Sequence, residues 1–137
     1  MSQAQPSAPT TEPRGELVIR TLAMPADANP SGDIFGGWVL SQMDIAGGIT
    51  AGQRAGGRVA TVAVTAMTFH LPVYVGDVLC VYTEIEKIGR TSITVALEAW
   101  ALRGRLGERA RVTLLGVDPK LVRFWNQEPV AREPRRY

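Results

Sequence analysis

A chain of 137 residues, 45% hydrophobic and 20% charged, is long enough for one folded domain, too short for two and too apolar to stay unfolded. Its formal charge of +2 comes from scattered cations with no aromatic platform between them, which argues against a nucleic-acid partner but leaves charge enough to hold a phosphorylated small molecule. Cys80 is the single cysteine, so no internal disulfide is expected and a reducing, cytoplasmic setting fits; neither a leader pattern nor a bilayer-length apolar run is visible, so no membrane partner is expected.

Residues 1–14 are polar and proline-rich and read as a disordered arm. ELVIRTLA (16–23) reads as a first strand, and MPADANPSG (24–32) as loop. From Phe35 to Gly52, Val39, Met43, Ala46 and Thr50 recur at helical spacing, which predicts a helix of about 25 Å ended by Gly56–Gly57. RVATVAVTAMTFHL (58–71) is Val- and Thr-rich and reads as a strand, broken by Pro72; Gly76–Asp77 makes a turn. Strands follow at 78–88, 91–102 and 108–118, joined by turns at Gly89–Arg90 and Gly104–Gly107. The domain is thus expected over 15–118, and 119–137 reads as a polar, basic tail with Phe124, Trp125 and Tyr137 as its aromatic anchors. One strand, one long helix and then strands in series is an α+β layout. The helix can cover only one sheet face, so an oligomer is expected.

The chemistry concentrates in 29–48. Asp44 lies mid-helix among Leu40, Gly47, Gly48 and Ala51, which is not the company of a solvated carboxylate. Each helical glycine costs about 1 kcal/mol against alanine, so Gly47 and Gly48 suggest close approach of a backbone or a ligand. The plain structural alternative is a capping or ion-paired aspartate. Gly36 and Gly37 open the helix, where unpaired N–H groups and the dipole favour a developing oxyanion; alternatively they form a flexible entry turn. Asn29 can orient a water or a carbonyl, or simply serve the turn before Pro30. Gly89-Arg90-Thr91-Ser92 pairs a guanidinium with two hydroxyls and suits a phosphate, as does Arg58; the alternative is an ordinary charged hairpin. His70 has no adjacent nucleophile and reads as structural, Cys80 reads as a core residue, and no cluster has metal-ligand spacing.

PADANPSGDIFGGWVLSQMDIAGG (25–48), RVATVAVTAMTFHLPVYVGDVL (58–79) and KIGRTSITV (87–95) together resemble the hot-dog acyl-CoA thioesterases of the bacterial YciA type and their animal acyl-CoA hydrolase relatives. N-x-x-G-x-x-F-G-G followed by M-D-x-A-G-G is a specific joint pattern, and the likeness spans about 15–113. The resemblance implies one long central helix wrapped by a curved antiparallel sheet of about five strands, in dimers joined edge to edge that assemble into hexamers. It implies hydrolysis of an acyl-CoA substrate without metal or cofactor, CoA being part of substrate and product. Asp44 would be the general base or nucleophile, and Asn29 would work with it across the dimer interface. Gly37, with Gly36, would polarise the thioester carbonyl. Arg90, Thr91 and Ser92, and less directly Arg58, would contact CoA. The stretch 110–130 departs from the family's long final strand.

Two other readings use the same fold. A non-catalytic acyl-CoA-binding protein would not need both Asn29 and Asp44, and such regulators carry a DNA-binding segment for which 1–14 is too short. A hot-dog dehydratase places a histidine in the loop or near the helix start, far along the chain from His70.

Overall fold

A computed structural model describes residues 12–64, 68–69, 71–103, 108–114 and 121–125. Among these, β1 (Glu16–Leu22) leads through a single 3-10 turn at Pro25–Asp27 into the long helix α1 (Gly36–Ala55). Then come β2 (Ala60–Val64), β3 (Thr68–Phe69), β4 (Val78–Ile88), β5 (Ser92–Arg103), β6 (Glu108–Leu114) and β7 (Leu121–Trp125).

All described strand pairings are antiparallel. β5 is the axis of the sheet. One side of it pairs with β4, which in turn pairs with β1. The other side is shared, β7 taking Ser92–Ala96 and β6 taking Glu98–Arg103. Beyond them, β2 pairs with β7 and β3 with β6. Within the strand expected over 58–71, the described segments are β2 and β3. Of the expected last strand, β6 is described as far as Leu114, and β7 lies along the same side of β5. This gives five rows, the layout the resemblance implies.

One expectation is corrected here. Leu121–Trp125, placed in a polar tail by sequence, is a strand, so the sheet runs past residue 118. Four of the five residues of LVRFW favour strands, but the basic residues around them hide the run when composition is averaged over 119–137.

α1 buries Val39, Met43, Ala46, Gly47, Ala51 and Ala55. This stripe meets Leu79 and Val81 of β4 and Ile93, Val95, Leu97, Ala99 and Ala101 of β5 in one continuous core. Small residues on both surfaces let the helix sit close, and Thr50 and Thr83 satisfy each other by a hydroxyl–hydroxyl bond of 2.7 Å between α1 and β4. Gly56 ends the helix at φ +69°, its N–H on the Gly52 carbonyl at 2.8 Å.

The start of β1 is clamped onto β4. Arg14 pairs with Glu84 and Glu86, and its backbone N–H donates to Glu98 at 2.7 Å. Gly15 follows at φ +94°, and a Cβ there would lie 2.3 Å from the Thr83 carbonyl oxygen. That neighbour is backbone and cannot move aside. Gly15→Ala is expected to cost about 2 kcal/mol or more, from left-handed strain plus the clash. The check is the urea midpoint at fixed protein concentration.

Candidate active site

The loop before α1 is built around Asn29. Its side-chain oxygen accepts from the N–H groups of Ser31 at 2.9 Å and Asp33 at 3.0 Å, and its backbone N–H donates to Asp33 at 2.6 Å. Two donors aimed at one atom fix which end of the amide is oxygen. The turn reading of Asn29 thus holds: the acceptor is spent on the loop, and the NH2 group has no partner among the described residues. Asn29, Asp33, Ile34, Gly36, Phe69 and Leu71 are among the walls of a cavity of about 420 Å³, open to solvent.

Gly36 opens α1 at the edge of this cavity. Phe35 caps the helix with no side-chain bond, and the first N–H to return to Phe35 is that of Trp38, at 3.0 Å. The N–H groups of Gly36 and Gly37 are therefore unspent among the described residues, a ready-made place for an oxyanion. A Cβ on Gly36 would lie 3.2 Å from the Phe69 ring, whereas one on Gly37 would meet nothing within 4 Å. Nothing among the described residues requires glycine at 37. Gly37→Ala is expected to leave thermal stability unchanged or slightly raised, by up to about 1 kcal/mol. Any loss of turnover in it then reports on what approaches from outside.

Asp44 lies eight residues beyond Gly36, about 12 Å along the helix axis. It does not line the Asn29 cavity. Its Oδ1 accepts from the Thr61 hydroxyl on β2, and its other oxygen has no partner among the described residues. The sequence places Asp44 among apolar and glycine positions. In the single chain it is instead exposed, on the helix flank turned away from the β4–β5 core. The exposed surface on this part of α1 and on β2 is apolar, with Leu40, Ile45, Ile49, Val64 and the 62%-exposed Val62. Gly47 is buried and Gly48 half-buried beside it.

Thr61 is the residue that sequence reading missed. Its signal was a lone hydroxyl within ATVAV, easily taken for strand propensity in a Val- and Thr-rich run.

Arg90, Thr91 and Ser92 form the β4–β5 hairpin, closed by the Gly89 N–H on the Ser92 carbonyl at 2.7 Å. Arg90 is exposed, and Arg58 is exposed just ahead of β2. Ala60 pairs with Trp125 and Trp125 with Ser92, so both cations lie at one end of the sheet. The two strands that carry them are about 10 Å apart, with β7 between. This is the end where α1 finishes; Asn29 and the Gly36–Gly37 amides are at the end where it starts. Cys80 is buried, as expected of a small apolar residue; His70 lies outside the described residues.

The thioesterase superfamily model matches residues 31–108. The chain belongs to the thioesterase superfamily. Within this superfamily it is 52% identical over 115 residues to the acyl-CoA thioester hydrolase YciA of Salmonella typhimurium, covering 78% of this chain and 86% of that protein. Two thioesterase crystal structures share its fold. HI0827, a hexameric broad specificity acyl-coenzyme A thioesterase in an aspartate-to-alanine mutant form, superposes with a TM-score of 0.80 at 43% identity, covering 88% of this chain and 89% of that one. The hexameric thioesterase y2039 from Yersinia pestis gives 0.77 at 46% identity, covering 92% and 100%. The helix-on-sheet arrangement described above is thus the hot-dog fold of these thioesterases.

Proposed function

We propose that this chain hydrolyses acyl-CoA thioesters to a carboxylic acid and free CoA, in a site completed by a second copy of itself. The observation that carries the reading is the division of the machinery. Among the described residues, a carboxylate with one oxygen anchored by Thr61 and one without a partner lies on an exposed apolar surface, and the unspent donors of Asn29, Gly36 and Gly37 lie elsewhere on the same chain. Neither half is a site alone.

β2 pairs only with β7 among the described strands, so its other edge is open, and Thr61, Val62 and Val64 are exposed on it. Pairing two copies along this edge covers the apolar surface and removes the exposed strand edge. It also brings Asn29 of one subunit towards Asp44 of its partner. Hexamer formation, as in the relatives, is part of the same proposal.

In this reading the thioester carbonyl lies at the start of α1. The Gly36 and Gly37 amides and the Asn29 NH2 group donate to it and stabilise the charge that develops on its oxygen. The other Asp44 oxygen either takes a proton from the attacking water, whose addition expels the CoA thiolate, or attacks the carbonyl carbon itself, expelling the thiolate and forming an anhydride that water then opens to the two carboxylic acids; the thiolate leaves as the free thiol with a proton from the water. Thr61 holds the carboxylate in place for either route. Arg58, Arg90, Thr91 and Ser92 supply donors and charge for the CoA phosphates at the far end of the sheet. No step draws on a metal or a cofactor, and the setting is cytoplasmic.

Free-thiol release from short, medium and long acyl-CoAs tests the activity. Asp44→Ala is expected to lose at least about a hundredfold in kcat, and undiminished turnover in it would sink the assignment. The shared site has its own test. Asn29→Ala and Asp44→Ala subunits, each inactive alone, are dissociated, mixed and reassembled. A mixed dimer then holds one site with both side chains intact, so activity is expected to return. A mixture as inactive as its components would place both residues in one chain's site. Oxygen-18 from water appearing in Asp44 after a single turnover separates nucleophile from base.

A further inference from the structure

Two walls of the cavity at Asn29 face each other, with Val39 and Phe69 also lining it. One is the loop 29–36; the other is the turn from Leu71 to Asp77, which contributes Leu71, Pro72 and Val73. The walls are joined through the backbone, where the Ile34 N–H donates to the Val73 carbonyl at 2.8 Å and Asp33 bridges Tyr74, and Ile34 and Val73 share the buried core. A shift in one wall is therefore passed to the other, and to Asn29, which the Asp33 N–H helps to orient.

Besides the backbone bonds between Ala23 and Gly76–Asp77, a side chain from the end of β5 grips the second wall. Arg103 Nε donates to both oxygens of Asp77 at 3.1 Å, and one terminal nitrogen donates to Asp77 Oδ2 at 2.8 Å. That terminal nitrogen also donates to the Pro72 carbonyl at 2.9 Å, and the guanidinium lies 4.5 Å from the centre of the Tyr74 ring. Asp77 is buried; its Oδ2 also accepts from the Tyr74 N–H at 2.9 Å, and its own backbone carbonyl accepts from Ala23 at the end of β1. Hydrogen bonds to Asp77 raise the Arg103 pKa above its ordinary value, so the charge is present at any working pH. One guanidinium thus grips the turn at 72, 74 and 77, far along the sheet from the Arg58 and Arg90 end.

We propose that Arg103 is a positioning residue for the thioester, acting through the 71–77 turn on the cavity wall and on the Asn29 loop it supports. The inference rests on the hydrolase reading above. Arg103 touches neither Asn29 nor the helix-start amides; its effect is to fix the distance between the wall and those donors. Displacements on the order of 1 Å at such donors reduce turnover by tenfold or more. CoA anchoring at the opposite end of the sheet is left alone, so the loss falls on kcat.

The experiment compares Arg103→Met, Arg103→Lys and Asp77→Asn in steady-state thiol release at 15 °C, with circular dichroism and sedimentation confirming folded, correctly assembled protein. Arg103→Met is expected to lose about tenfold in kcat with KM changed less than threefold. Arg103→Lys, which keeps a cation for Asp77 and a donor for the turn, is expected to return within threefold of the unmodified enzyme. Asp77→Asn keeps the acceptor for the Tyr74 N–H and is expected to match Arg103→Met. The double variant should fall no further than the worse single one, because both act through one contact. A folded Arg103→Met with unchanged kcat and KM, or losses that multiply in the double variant, would overturn the positioning role. If Arg103→Met does not fold, Asp77→Asn against Arg103→Lys carries the same comparison. Absence of thiol release from the unmodified protein would instead overturn the hydrolase reading.

Discussion

Met43, Val39, Ala46 and Ala51 lie flat against β4 and β5, and this contact decides where every other group on α1 can be. Once that stripe is buried, a 3.6-residue period leaves Asp44 on the flank beside β2 and points the first turn of the helix at the loop that carries Asn29. The amides of Gly36 and Gly37 have no partner among the described residues, since Phe35, the capping residue, has no side-chain acceptor and its carbonyl is taken by Trp38. The reactive features are therefore by-products of how one helix is packed. A change at the helix–sheet contact would move the carboxylate and the donors together.

A single chain keeps those features apart. Donors gather where α1 starts, the exposed cations where it ends, and the carboxylate between them on an apolar flank. Leaving Val62, Val64, Ile45 and Ile49 in water has no benefit for a monomer, whereas covering them with a second copy buries apolar surface and closes the β2 edge. In the proposed two-copy site, association and completion of the site are the same event, which ties activity to protein concentration.

Much of this was legible in the sequence, for reasons that differ by residue. The helix was visible because its apolar spacing is regular, and Asp44 because a carboxylate interrupts an otherwise small and apolar surface. Asn29 was not visible in that way: Asn before Pro is ordinary turn chemistry, and only the family resemblance singled it out. Thr61 was hidden by its own strand propensity. Arg103 and Asp77 are 26 positions apart, and no local pattern connects them; the antiparallel register of β4 and β5 does. β7 was missed because four strand-forming residues were averaged into a basic stretch.

The place of β5 has a practical meaning. It lies between β4 on one side and β7 and β6 on the other, so its backbone is paired across both edges over most of its length. Opening it to water requires separating it from strands on both sides, whereas β1 pairs with a single described strand. Amide hydrogens along β5 therefore belong to the most slowly exchanging part of the molecule, and that strand reports on global rather than local opening.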